Sequence, residues 1–170
     1  LLSNVAGGLT ILFTRPFVVG DYIELDSLSG RVVQTGLIYT QLLTPENKTV
    51  FLPNSQVCDG RIINYTNETI RRLEIFVGAS YNASADDVKK ALYEAINTFP
   101  QLQKDPPPAV HIRDYLDSSI QYVIHAWVPT ELYWDAYYTL MEEIKRSFDR
   151  HHIDMDYPHM NIHMIGDNKN

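Results

Sequence analysis

The chain has 170 residues, 45% hydrophobic and 21% charged, with 14 Lys and Arg against 21 Asp and Glu and a formal net charge of −7. That length holds one large or two small domains, and the acid excess disfavours nucleic acid and anionic membrane surfaces as partners, since these are bound by clustered Lys and Arg. A single cysteine, Cys58, excludes an internal disulfide framework and fits a reducing compartment.

Leu1 to Phe17 carries no charged side chain before Arg15. The stretch is too apolar for a loop and too short to cross a bilayer, which takes about 20 apolar residues. It reads as the last part of a membrane helix that continues upstream and joins a water-soluble body. Helical spacing puts Leu2, Val5, Leu9 and Leu12 on one stripe and Ser3, Gly7, Thr10 and Thr14 on another. Small residues let membrane helices approach closely, and small polar ones can line water. Gly7-Gly8 weakens the helix, since Gly costs about 1 kcal/mol against Ala, so a bend is expected at Gly8. Gly8→Ala is then expected to shift a bent–straight equilibrium about fivefold. The alternative is that the glycines serve close packing alone. Pro16 stops the helix, with Arg15 placed to bond its last carbonyls.

Short strand-like runs follow. Asp21 to Leu25 enters a turn at Ser27 to Gly30; Arg31 to Thr35, Leu37 to Leu43, Thr49 to Leu52 and Arg61 to Tyr65 are rich in Val, Ile, Tyr and Thr. Residues 45–48, Pro-Glu-Asn-Lys, make a hairpin turn, and Pro53-Asn54-Ser55 ends a strand. Five short strands predict a small bent sheet or barrel, with Gly30 and Gly36 at its bends. Asn64 to Thr69 is a polar break.

The second half changes pattern. Ile70 to Val77 is a strand. Ser84 to Phe99 is a helix with Ser84 as N-cap, Asp86 and Asp87 in its first turn, and Val88, Ala91, Leu92, Ala95 and Ile96 on one face. Pro106-Pro107-Pro108 is a stiff connector. Val110 to Leu116 and Ser119 to Val128 are strands joined at Asp117-Ser118, Glu131 to His151 is a long amphipathic helix, and Met160 to Ile165 closes with a strand. The order β-α-β-β-α-β is the ferredoxin-like split unit, so the fold class is α+β.

Chemical motifs are few. His151, His152, Asp154, Asp156, His159 and His163 gather near the C-terminus. His159 and His163 fall on a strand-like run, where i and i+4 lie about 13 Å apart, so no metal site is expected. Asp86-Asp87 is explained by the helix dipole rather than by acid catalysis. Cys58 is an inert thiol, and no nucleophile triad, P-loop or dinucleotide fingerprint occurs. No enzyme activity and no cofactor are expected. Tyr133, Trp134, Tyr137 and Tyr138 read as core and subunit interface.

Three motif groups carry a resemblance. Asn4-Val5-Ala6-Gly7-Gly8, Arg15-Pro16-Phe17 and Gly20-Asp21-Tyr22-Ile23 form the first; Leu52-Pro53-Asn54-Ser55 with Ile62-Ile63-Asn64-Tyr65-Thr66 the second; Tyr157-Pro158-His159 the third, with His where Gln is usual. In content and separation they resemble the small-conductance mechanosensitive channels of bacteria. The resemblance implies residues 1–16 as the downstream half of a pore-lining helix, 17–67 as an Sm-like five-stranded β domain, and 68–166 as a ferredoxin-like α/β domain. Residues 167–170 would lead to a further C-terminal segment. It implies Ser3, Gly7 and Thr10 as the small pore-helix face, Gly8 as the bend, Arg15, Pro16 and Phe17 as the junction to the β domain, and Pro53 and Asn54 as a signature turn. It also implies a homo-heptamer in the bacterial inner membrane, with most of this chain in the cytoplasm as a vestibule. Ions and small osmolytes would pass with weak selectivity under tension, during hypo-osmotic shock. The gate would lie before Leu1. The alternative class is a ligand-sensing cytoplasmic regulatory domain of a membrane protein. Nucleic acid is not an expected partner.

Overall fold

The computed structural model describes residues 1–155 and divides into two compact units, 1–69 and 70 onward. In the first, α1 (Leu2–Thr14) precedes β1 (Tyr22–Leu25), β2 (Leu28–Thr35), β3 (Tyr39–Leu43), β4 (Thr49–Pro53), α2 (Asn54–Asp59) and β5 (Ile62–Asn64). The five strands form one antiparallel sheet in the order β4-β3-β2-β1-β5. Alternation aims Ile23, Leu25, Val32 and Leu42 at one side of it, where they meet Ile11, Phe17 and Val57 in a single core.

Three local readings are corrected here. The first turn is Asp26-Ser27, with Asp26 at φ 52°, and not Ser27 to Gly30. Asp tolerates that left-handed conformation better than most residues. Gly30 lies inside β2, where a Cβ would sit 2.8 Å from the Leu43 carbonyl oxygen. The strand bends instead at a bulge between Val32 and Gln34. Finally, Asn54 and Ser55 do not merely end a strand: they open α2. The hairpin at residues 45–48 forms as expected, Asn47 taking φ 63° and the Lys48 carbonyl accepting from the Thr44 N–H at 2.8 Å.

The second unit runs β6 (Ile70–Ala79), α3 (Ala85–Ile96), β7 (Ala109–Tyr115), β8 (Ile120–Pro129), a 3-10 turn (Thr130–Leu132) and α4 (Tyr133–Arg150). Its antiparallel sheet has the order β6-β8-β7. The expected helix from Glu131 starts as that 3-10 turn and becomes α-helical at Tyr133. Both helices cover one face of the sheet, burying Leu73, Ile75, Ile124 and Ala126 against Leu92, Leu140 and Phe148. The face expected for α3 is the buried one, and Ser84 Oγ accepts from the Asp87 N–H at 3.1 Å while donating to Asp87 Oδ2 at 2.7 Å. The strand expected at 160–165 and the turn at 157–159 lie outside the described residues.

A surface cluster ties the two helices together. Glu94 on α3 meets Arg150 at 2.7 Å and His151 at 2.6 Å. The hydrogen bond from His151, then that from Arg150, holds its carboxyl below the usual value. A depressed folded pKa contributes stability above the unfolded value, lost as pH falls through the folded one. Glu94→Gln is therefore expected to be less stable than the parent at neutral pH. The gap should begin to narrow as the pH falls below the ordinary glutamate value of about 4.3. Urea midpoints at pH 7 and pH 3.5 check this, and a gap independent of pH counts against it.

Candidate functional site: the helix clamp of the N-terminal unit

The face of α1 that docks is not its leucine stripe. Leu2 is 83% exposed and Leu12 59%, whereas Gly7, Gly8 and Ile11 are buried. Burial there is possible because glycine presents no side chain. A Cβ at Gly7 would lie 2.8 Å from the Asn54 carbonyl carbon and oxygen. At Gly8 it would lie 2.6 Å from the Leu37 carbonyl oxygen and 2.7 Å from Asn54 Nδ2. α1 passes as one helix through both glycines. The small face expected for it divides: Gly7 is packed away, while Ser3 and Thr10 are exposed, the Thr10 hydroxyl donating back to the Ala6 carbonyl at 2.9 Å. The division follows from position, because docking is centred on Asn4, Gly7, Gly8 and Ile11.

Polar groups complete the clamp. Asn4 Oδ1 accepts from the Ser55 N–H at 3.1 Å and from Ser55 Oγ at 2.7 Å. The first amides of a helix have no partner within it. α2 has no capping side chain of its own, so Asn4 supplies one from a position 51 residues away. The Cys58 thiol donates to the Gly7 carbonyl at 3.3 Å. Burial, and then the charge of Asp59, pushes that thiol up, which suits a weak donor and not a nucleophile. Asn54 is fully buried: its Oδ1 accepts from the Thr40 hydroxyl at 2.9 Å and its Nδ2 donates to the Gly36 carbonyl at 2.9 Å. Pro53 sits at the N-cap of α2 with φ −55°.

The junction after α1 is fixed residue by residue. Arg15 ends the helix in the left-handed conformation, φ 46° and ψ 56°, and it is its backbone N–H that bonds the Ile11 carbonyl, at 2.9 Å. The Pro16 carbonyl accepts from Asn64 Nδ2 at 3.2 Å, and Phe17 enters the core. Asp21 accepts from the Val18 N–H, Asn64 and Thr66. Burial alone would raise its carboxyl, but these three hydrogen bonds together hold it below the usual range.

The remaining candidates are dispersed. In the second unit Tyr133, Trp134, Tyr137 and Tyr138 stack mostly edge to face, with Trp134 and Tyr138 exposed and the Arg71 guanidinium 3.8 Å above the Tyr133 ring. Among the described residues no three His, Cys, Asp or Glu side chains are placed to hold a metal. Asp156, His159 and His163 lie outside them. No helix among them is long and apolar enough to cross a membrane. Asn4 and Ser55 were missed as a pair in the sequence; the one signal was a lone amide in an apolar helix.

A helix clamped by its glycines onto a small β unit precedes an α/β unit, and each part of the chain matches a known family. Residues 1–67 match the family model described as the mechanosensitive ion channel beta-domain, and 73–155 match the one described as the mechanosensitive ion channel MscS C-terminal domain. The chain belongs to the MscS family. It is 32% identical over 163 residues to a small-conductance mechanosensitive channel of Edwardsiella ictaluri, covering 96% of this chain and 57% of that protein. It is 31% identical over 165 residues to one of Helicobacter pylori, covering 95% and 59%. The crystal structure of Helicobacter pylori MscS in its closed state superposes with a TM-score of 0.89 at 30% identity, covering 97% of this chain and 66% of that one. The chain thus spans somewhat under two thirds of these relatives' length.

Proposed function

We propose that this chain is part of a subunit of a tension-gated channel that releases ions and small osmolytes on hypo-osmotic shock. One observation carries the reading: the likeness is continuous, running through α1, the β unit and the α/β unit over 95–97% of the chain. In this reading residues 1–16 are the downstream half of the pore-lining helix, 17–67 the β domain and 68–166 the wall of a cytoplasmic vestibule. The assembly is a homo-heptamer in a bacterial inner membrane. Ser3 and Thr10 are the exposed small residues that face water, while Gly7 and Gly8 belong to the clamp and Arg15, Pro16 and Phe17 pass motion from helix to β domain. Selectivity is weak, because Leu1 to Thr14 contains no charged side chain to form a ring.

Two physical features agree with an assembly. The outer edges of β4 and β5 stand at opposite ends of one sheet, and sheet edges need cover. The exposed Leu2, Leu9, Leu12 and Phe13 make an apolar surface that water alone does not favour. Light scattering on the detergent-solubilised full-length protein is expected to give the mass of seven subunits, and patch-clamp of reconstituted protein a tension-activated current. A stable monomer overturns the assembly. The absence of any tension-activated current overturns the channel.

A further inference from the structure

The five-stranded sheet of the first unit carries a groove on the face opposite its core. Register places Gln34 opposite Gln41 and Gln41 opposite Phe51. Tyr39 lies two residues from Gln41 on the same strand, so all four side chains share the face away from the buried Thr40 and Leu42. With Leu37 they line a recess of about 320 Å³. Its walls are apolar and open to water, Leu37 and Phe51 being 61% exposed and Tyr39 50%. No charged side chain is among its lining residues. Its polar groups are the two carboxamides, and among the described residues neither is hydrogen-bonded within the protein. One end of the groove is the turn at residues 36–39, and that turn also seats α1. The Gly36 carbonyl accepts from Asn54 Nδ2 at 2.9 Å and the Ile38 carbonyl from the Asn54 N–H at 2.8 Å. The Leu37 carbonyl oxygen is the atom that a Cβ at Gly8 would meet at 2.6 Å. Three successive carbonyls thus face the clamp, while Leu37 and Tyr39 wall the groove.

We propose that this groove binds a small neutral aromatic molecule carrying a carboxamide, and that its occupancy tightens α1 on its seat. The volume falls at the lower end of small-molecule pockets, about 300–1,000 Å³. Aromatic walls favour a flat ring, which Tyr39 and Phe51 meet by stacking or edge contact. Each glutamine offers both a donor and an acceptor, the pattern a ligand carboxamide complements. An ion is a poor fit, because nothing in the lining repays its dehydration. The direction of the effect follows from what the turn holds. When α1 leaves, the turn at residues 36–39 loses a packing partner and the groove loses a fixed wall. A ligand stabilises the state it binds better, and here that is the docked one. The proposal goes beyond the channel reading and does not require it.

Indole-3-carboxamide, a flat bicyclic ring with one carboxamide, serves as the probe. Hydrogen exchange of the α1 amides is followed in the full-length protein, in lipid nanodiscs, as the probe is added. At ten times its half-saturating concentration, protection of α1 is expected to rise about tenfold, together with that of residues 36–41. Phe51→Ala removes one wall, and the rise should disappear. No rise in the parent overturns the proposal, as when a second copy of the chain already fills the groove. A fall in protection, or an equal rise in Phe51→Ala, overturns it too. If Phe51→Ala has lost protection of β3 and β4 before any probe is added, its fold is altered, and Gln34→Leu with Gln41→Leu decides. That variant keeps the apolar walls and removes both carboxamides. Half-saturation raised about tenfold supports the proposal, and half-saturation unmoved overturns it.

Discussion

Asn54→Ala should lower the unfolding free energy of the N-terminal unit by about 2–4 kcal/mol. The amide holds the Thr40 hydroxyl, itself fully buried, and the Gly36 carbonyl. Removing it strands both, and an unsatisfied buried polar group costs about 1–3 kcal/mol. No water takes over cheaply, because the site is closed by α1 at Gly8. Hydrogen exchange of β3 and β4 amides in the full-length protein measures the change. About 30- to 700-fold loss of protection corresponds to the stated range, at 1.4 kcal/mol per tenfold. The partner test is Thr40→Val in the Asn54→Ala background, which removes one stranded hydroxyl and should recover part of the loss. A cost below about 0.5 kcal/mol, typical of a surface change, would show that the amide does not hold this junction together.

Gly8→Ala should loosen α1 from its seat, although it improves the helix as a helix. Propensity favours alanine by about 1 kcal/mol. Against this, the new methyl would stand 2.6 Å from the Leu37 carbonyl oxygen and 2.7 Å from Asn54 Nδ2. A backbone oxygen cannot rotate aside, and Asn54 is held at both ends of its amide. Overpacking costs about 1–3 kcal/mol, and two approaches under 3.0 Å put Gly8 in the upper part of that range, so the net effect is a loss of up to about 2 kcal/mol. The sign is therefore opposite to that expected from helix stiffness alone. Exchange protection of the α1 amides should fall. In the channel reading the balance of conducting and non-conducting states should move toward whichever state has α1 undocked. Increased protection of α1 would mean that propensity wins and that close approach is not the constraint at Gly8.

How legible these features were in the sequence depended on where their determinants lie. The start and the buried face of α3 could be read, because its cap Ser84, its acidic first turn and its apolar face all sit within its own residues, but it ends at Ile96 and not at Phe99 as expected. α2 could not. It has six mostly polar residues without helical periodicity, and its cap comes from Asn4 across the fold. The docking face of α1 escaped for a related reason. Periodicity detects side chains, and it pointed to Leu2, Leu9 and Leu12, whereas the contact is made where side chains are missing. The glycine pair allowed close packing as one of two readings, but only the Asn54 and Leu37 carbonyls show what approaches. Junction residues were found as a motif, yet the backbone role of Arg15 needed its left-handed dihedrals. The groove of the first unit was invisible, since Gln34, Gln41 and Phe51 meet only through strand register.

Among the described residues Ile11 to Val57 fill one interior and Leu73 to Ile153 the other, with no residue common to both. Free energies of substitution at distant, unshared sites are close to additive. A substitution within the seat of α1 and one within the α/β interior are therefore expected to add, each unit answering for its own packing.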